Sequence, residues 1–212
     1  MPECMSRLME RRMSWRCWPA SSLVVALLCS ALLAPDALGA PTIAITSLPP
    51  FGVSGSMQGT VSGRSTMSRV EVAAVMAMAT AKRAANVDVV IYGDTNARVD
   101  RLAGMSVLGG VQKVVQSIGS VGHSTFGHTA IARWFDAKRH QRVVIFTDDQ
   151  QHDSGRVRLD HVPVIYTFNL AGYRPSALPS GERGRYTIGG FTDATFTVMK
   201  VIEDGRNAAW PF

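Results

Sequence analysis

Three stretches constrain this chain more than anything else in it. VDVVIYG (87–93), RVVIFT (142–147) and VPVIYTFNL (162–170) are near-continuous runs of β-branched and aromatic residues. A strand with one wet face alternates apolar with polar residues, whereas a strand covered on both faces does not. The segments between these runs read as helices. MSRVEVAAVMAMATAKRAANV (67–87) repeats Val70, Ala74, Ala77, Ala81 and Ala84 at three-to-four spacing. That pattern makes a helix with a small-residue face suited to close packing on a sheet, with Ser65 or Thr66 as its N-cap. SVLGGVQKVVQSIG (106–119), TAIARWFDAKR (129–139) and DATFTVMKVIED (193–204) read as further helices. TIAIT (42–46) reads as a short strand broken by the prolines of SLPPFG, and YTIGGF (186–191) as a short edge strand. The expected fold class is α/β and Rossmann-like, with a mostly parallel sheet and helices on both faces. Ligands of such folds sit beyond the carboxyl ends of the strands.

The 212 residues are 46% apolar and 18% charged, enough for one sizeable core and too apolar for a disordered chain. The net charge of +6 is carried by scattered Lys and Arg, with no dense block to mark a nucleic-acid face. All three cysteines (Cys4, Cys17, Cys29) fall in the first thirty residues, so the body has neither a disulfide framework nor a cysteine zinc site. Residues 1–41 differ in character from the rest. Arg11, Arg12 and Arg16 precede the apolar run SSLVVALLCSALLA (21–34), and Ala37-x-Gly39 offers a cleavage site before Ala40. The segment reads either as a secretory signal peptide or as sequence that is not genuinely coding. The run is too short to span a bilayer comfortably. The domain is expected over 42–212.

The strand-end loops carry the chemistry. Ser54 and Ser56 lie two apart on a glycine-rich turn, Thr129 opens a helix, and Thr147, Asp148 and Asp149 follow a buried strand directly. Hydroxyl and carboxylate oxygens are hard ligands that suit Mg²⁺ or Mn²⁺. Hydroxyls ligate weakly alone, so a carboxylate must supply the charge.

Taken in order, VSGSM (53–57), the long Ala/Met helix, GHTA (127–130), RVVIFTDDQ (142–150) and GGFTDATFTVMKVIED (189–204) resemble one known arrangement. It is the C-terminal von Willebrand factor A-like domain of the Ro ribonucleoprotein (TROVE-domain) family. The resemblance covers roughly residues 53–204. It implies a Rossmann-like A-type fold and a metal site at Ser54, Ser56, Thr129 and Asp148. It also implies a non-catalytic, cytoplasmic role in an RNA-binding ribonucleoprotein, with RNA or a protein partner meeting the metal-site face. Two departures bear on this. Gly52 stands where the pattern Asp-x-Ser-x-Ser has aspartate, and the family's ring of helical repeats has no counterpart in the chain. Losing one charged acceptor costs about 1.5–3 kcal/mol, roughly a ten- to hundred-fold drop in affinity. Weak Mg²⁺ or Mn²⁺ binding is therefore expected.

Other readings stand beside this one. Ser54 and Ser56 are ordinary turn formers, and Thr129 an ordinary helix N-cap. Taken at face value, the N-terminal segment makes the chain a secreted stand-alone A-domain adhesion module. VGHSTFG (121–127) misses the G-x-S-x-G nucleophile elbow by one residue, at Phe126, which makes a serine hydrolase at Ser124 the least favoured alternative. GTVSGRST (59–66) lacks the glycine spacing and lysine of a phosphate loop. The five histidines (His123, His128, His140, His152, His161) have no zinc-site spacing and read as surface or capping residues, with His128 at the pocket rim. Met57, Met67, Met76 and Met78 read as packing, and Trp134 as core. No nucleophile–base pair is evident, so no enzyme is expected.

Overall fold

A computed structural model describes residues 42–47, 59–63, 65–84, 86–117, 120–122, 124–148, 157–170, 181–182, 184–189 and 195–207. The elements are β1 (Thr42–Ser47), α1 (Arg69–Arg83), β2 (Val87–Tyr92), β3 (Asn96–Arg98) and α2 (Val107–Gln116). They are followed by α3 (Gly127–Trp134), β4 (Arg142–Thr147), β5 (Ile165–Asn169), β6 (Arg185–Gly189) and α4 (Thr195–Asn207). Six strands form one sheet in the order β3-β2-β1-β4-β5-β6. Every pairing is parallel except β2 with β3. β1 runs through the middle, with Thr42 opposite Val87 on one side and Arg142 on the other.

The continuous apolar runs are explained by what each face meets. Val89 and Ile91 of β2, Val144 and Phe146 of β4, and Tyr166 and Phe168 of β5 face one layer, with α1, Val114 of α2 and Met199 of α4. Phe146 and Phe168 stack there at 5.2 Å between ring centroids. The alternate residues Val90, Tyr92, Val143, Ile145 and Ile165 face the other layer, under Ala130 and Ile131 of α3 and under Phe135 and Val162. Both faces of β2, β4 and β5 are covered, which is why these strands are mostly apolar; charged residues that they do bury, Asp88 and Arg142, lie towards the strand ends.

α1 begins two residues later than the sequence reading placed it. Its N-cap is Ser68, not Ser65 or Thr66. Ser68 Oγ accepts from Glu71 N while Ser68 N donates to the Glu71 carboxylate, a complete capping box. Every residue from Val72 to Ala81 is buried. Small side chains permit this: α2 lies so close that a Cβ on Gly110 would collide with Met78 Sδ. Met76 and Met78 are fully enclosed and Met67 packs against the same core, while Met57 is outside the described residues.

Three other expectations need correction. β3 was not anticipated, because its three residues, Asn-Ala-Arg, carry no strand signature. α3 ends at Trp134 rather than 139, because a side chain captures the next turn: Asp136 N donates to His140 Nδ1 at 3.1 Å. Trp134 is only half-buried at the sheet edge, where its Nε1 donates to Asn96 Oδ1 at 2.8 Å.

The buried charges sit towards the amino ends of the strands. The Asp88 carboxylate lies 3.2 Å from His140 Nε2, 3.2 Å from Arg139 and 3.4 Å from Arg98. His140 is thus a core residue, not the surface or capping group expected from sequence. Burial lowers its pKa, the nearby Arg139 adds to that, and Asp88 opposes it. Across the sheet Arg142 pairs with Glu203 of α4 at 2.7 Å, and Tyr166 Oη donates to the same carboxylate at 3.1 Å. Burial, then Glu203, pushes the Tyr166 phenol well above its ordinary range.

Candidate metal centre

The carboxyl edge of the sheet is built by four strand ends and one helix start. β1 ends at Ser47 between Tyr92 of β2 and the end of β4. Asp148 follows β4 directly and is 3% exposed. An ionised carboxylate held that far from water needs a hydrogen-bonded or cationic partner. Thr147 and Asn169, paired in register at the ends of β4 and β5, are equally buried. Leu170 N donates to Thr147 O at 2.8 Å and closes the edge on that side.

On the other side the start of α3 is tied to the end of β2. Thr95 donates to Val121 O through both its N–H (2.8 Å) and its hydroxyl (3.3 Å), and Ser124 N donates to Asp94 Oδ1 (3.1 Å). The approach is so close that a Cβ on Gly93 would stand 2.7 Å from Val121 O and nearer still to Gly122 O. Gly122 has φ +83°, a conformation that costs an L-residue roughly 1–2 kcal/mol. The loop delivers α3 with Phe126 as an N-cap that makes no side-chain bond. Thr129 is therefore not the cap. It is the third residue of the helix and exposed, while His128 beside it is 5% exposed and buried rather than at a rim.

Of the four residues singled out as ligands, Thr129 and Asp148 belong to this edge by topology. Ser54 and Ser56 lie outside the described residues, as do Gly52, Asp149, His123 and His152. The described donors, one buried carboxylate and one exposed hydroxyl, would supply a charge and one neutral oxygen of the roughly six that a hard divalent ion takes. They fit part of such a site. No group of three or more His, Cys, Asp or Glu among the described residues could hold a metal alone. Sequence reasoning passed over Asp94, although its signal was the one that marked Asp148: an acid immediately beyond a buried β-branched run. Ser124 sits half-buried on a turn reached from α2, not from a strand, so the geometry of a nucleophile elbow is not there.

A mostly parallel α/β sheet with an antiparallel edge strand is thus the class of domain. No family model and no curated protein matches the chain. Among solved structures the fold is shared with the Ro (RSR) protein of Deinococcus radiodurans. The TM-score is 0.59 at 14% identity, over 79% of this chain and 34% of that one. This chain therefore spans about a third of the Ro protein. The likeness is one of fold, and it agrees with the resemblance to a Ro-type A-like domain read from the sequence motifs. Proximal thread matrix protein 1 of the mussel byssus overlaps more loosely, with a TM-score of 0.43 at 14% identity over 80% of this chain and 45% of that one. Its form with a zinc-occupied MIDAS motif gives 0.43 at 17% identity, with the same coverage. No helix of the described residues is long and apolar enough to cross a membrane.

Proposed function

We propose that the chain is a non-catalytic, Rossmann-like A-type domain of a Ro-like ribonucleoprotein component. In this reading the carboxyl edge of its sheet is a divalent-metal contact for a partner's carboxylate or phosphate. The observation that carries the reading is Asp148: a carboxylate 3% exposed, immediately beyond a central parallel strand, in a fold shared with a Ro protein. Asp148 supplies the charge, Thr129 a hydroxyl from the first turn of α3, and Ser54 and Ser56 the remaining hydroxyls. Gly52 leaves the first loop without its carboxylate, so affinity for Mg²⁺ or Mn²⁺ is low and the contact needs the partner's own anionic group to complete it. RNA enters as a partner through the assembly, by analogy with the Ro protein.

Titration calorimetry with Mn²⁺ tests this. The chain as it stands should bind no tighter than millimolar, Gly52→Asp should gain about ten- to hundred-fold, and Asp148→Asn in that background should abolish the gain. Micromolar binding by the unaltered chain, or a gain that survives Asp148→Asn, refutes the assignment.

A further inference from the structure

The open edge of the sheet at β3 combines features that no part of the proposed metal contact uses. Gly93 N donates to Thr95 O and Val99 N to Val89 O, so residues 95, 97 and 99 turn their main chain towards β2. Asn96 and Arg98 therefore turn theirs outward, and no other strand of the described residues pairs with them. Guanidinium groups flank this edge. Arg98 and Arg133 both lie over the Trp134 ring, at 6.0 and 5.6 Å from its centroid. Arg98 and Arg139 both reach the Asp88 carboxylate, yet remain 39% and 57% exposed. Arg98 Nε already holds an exposed carboxylate, that of Asp100, at 2.7 Å. Arg133 makes no ion pair among the described residues. Where β3 ends, a cavity of about 250 Å³ opens between Asp88, Arg98 and Asp100, floored by Val89, Val99 and Leu102.

We propose that this edge docks an extended acidic segment of a partner polypeptide. Its main chain pairs with Asn96 and Arg98, its carboxylates replace Asp100 on Arg98 and engage Arg133 and Arg139, and one apolar side chain enters the cavity. Strand addition supplies affinity through main-chain bonds, and alternate side chains supply specificity. The guanidiniums are held in place by Trp134 and Asp88, so little side-chain freedom is lost on binding. A polypeptide fits better than a nucleic acid for two reasons. Only a polypeptide can use the outward main-chain groups, and the Trp134 ring, already covered by guanidiniums, offers no stacking platform for a base.

The test is fluorescence anisotropy on the full chain at low salt, with a labelled ten-residue peptide alternating Glu and Val. The expected result is saturable binding that weakens with salt, with no binding of the Lys–Val counterpart. Arg133→Glu with Arg139→Glu, both exposed and checked for an unchanged melting curve, should raise Kd at least about tenfold. The same peptide N-methylated at alternate residues keeps its charge but cannot pair, and should also bind at least about tenfold more weakly. Undiminished binding of the N-methylated peptide, or by the charge-reversed variant, overturns the proposal. So does tighter binding of an oligothymidylate of equal charge. None of these readouts involves Mn²⁺, so failure here leaves the metal contact standing, and the reverse.

Discussion

Replacing Gly93 by alanine should loosen the loop that positions the start of α3. The new methyl would stand 2.7 Å from Val121 O, where ordinary van der Waals contact begins at 3.4 Å, and closer still to Gly122 O. The loop must therefore retreat by roughly 0.7 Å or more. Both obstructing atoms are backbone oxygens, so no side-chain rotation can relieve the clash. Val121 O also accepts both bonds from Thr95, so its retreat stretches them together. Overpacking of this kind costs about 1–3 kcal/mol. Alanine recovers about 0.4–1 kcal/mol by restricting the unfolded chain. Taken at mid-range, the net loss is about 1.3 kcal/mol, a melting temperature lower by roughly 3–5 °C for a domain of this size. Gly63, with nothing within 4 Å of a built Cβ and no positive φ, is the internal control. Denaturant and thermal unfolding of both variants provide the assay. Gly63→Ala should be neutral or slightly stabilising. If Gly93→Ala behaves like it, the close approach of the 121–126 loop to β2, and with it the placement of Thr129, is wrong.

Three further outcomes follow from the same structure. Ser68→Ala removes the α1 capping box and should cost about 1 kcal/mol in denaturant unfolding. Burial holds the pKa of His140 below the unfolded value of 6.5. The unfolded chain therefore binds more protons in this range, and the His140 contribution is complete above pH 6.5 and lost as pH falls below it. Stability measured between pH 7.5 and 5 should decline less steeply in His140→Gln; an unchanged slope would place the titration elsewhere. Tyr166→Phe removes one hydrogen bond from the Arg142–Glu203 pair and should cost about 1 kcal/mol in the same unfolding assay.

The parallel core was legible because burial on both faces leaves a mark no surface strand has: β2, β4 and β5 are apolar without alternation. α1 was legible from its alanine spacing, and its cap was legible too, because Ser68-x-x-Glu71 has the capping-box spacing that Ser65 and Thr66 lack; the sequence reading passed over it. β3 was hidden because its three residues are specified by the Gly93–Thr95 turn and not by their own character. The histidines misled for a related reason. His140 is a loop residue by sequence, and only the fold brings Asp88, fifty-two positions earlier, to its Nε2. At the candidate metal centre, Asp148 announced itself by following a buried strand. Thr129 was read as a cap because the turn that starts α3 depends on Gly93 and Gly122, which leave no mark on the helix itself.

The most direct measurement is paramagnetic broadening of backbone amide signals by Mn²⁺ in the Gly52→Asp variant, where the ion is held tightly enough to report its surroundings. Selective loss of the signals of residues 54, 56, 129 and 148 at substoichiometric Mn²⁺ is the predicted result. Broadening confined to other regions, or of residue 148 without 54 and 129, would contradict a shared metal contact at the carboxyl edge of the sheet.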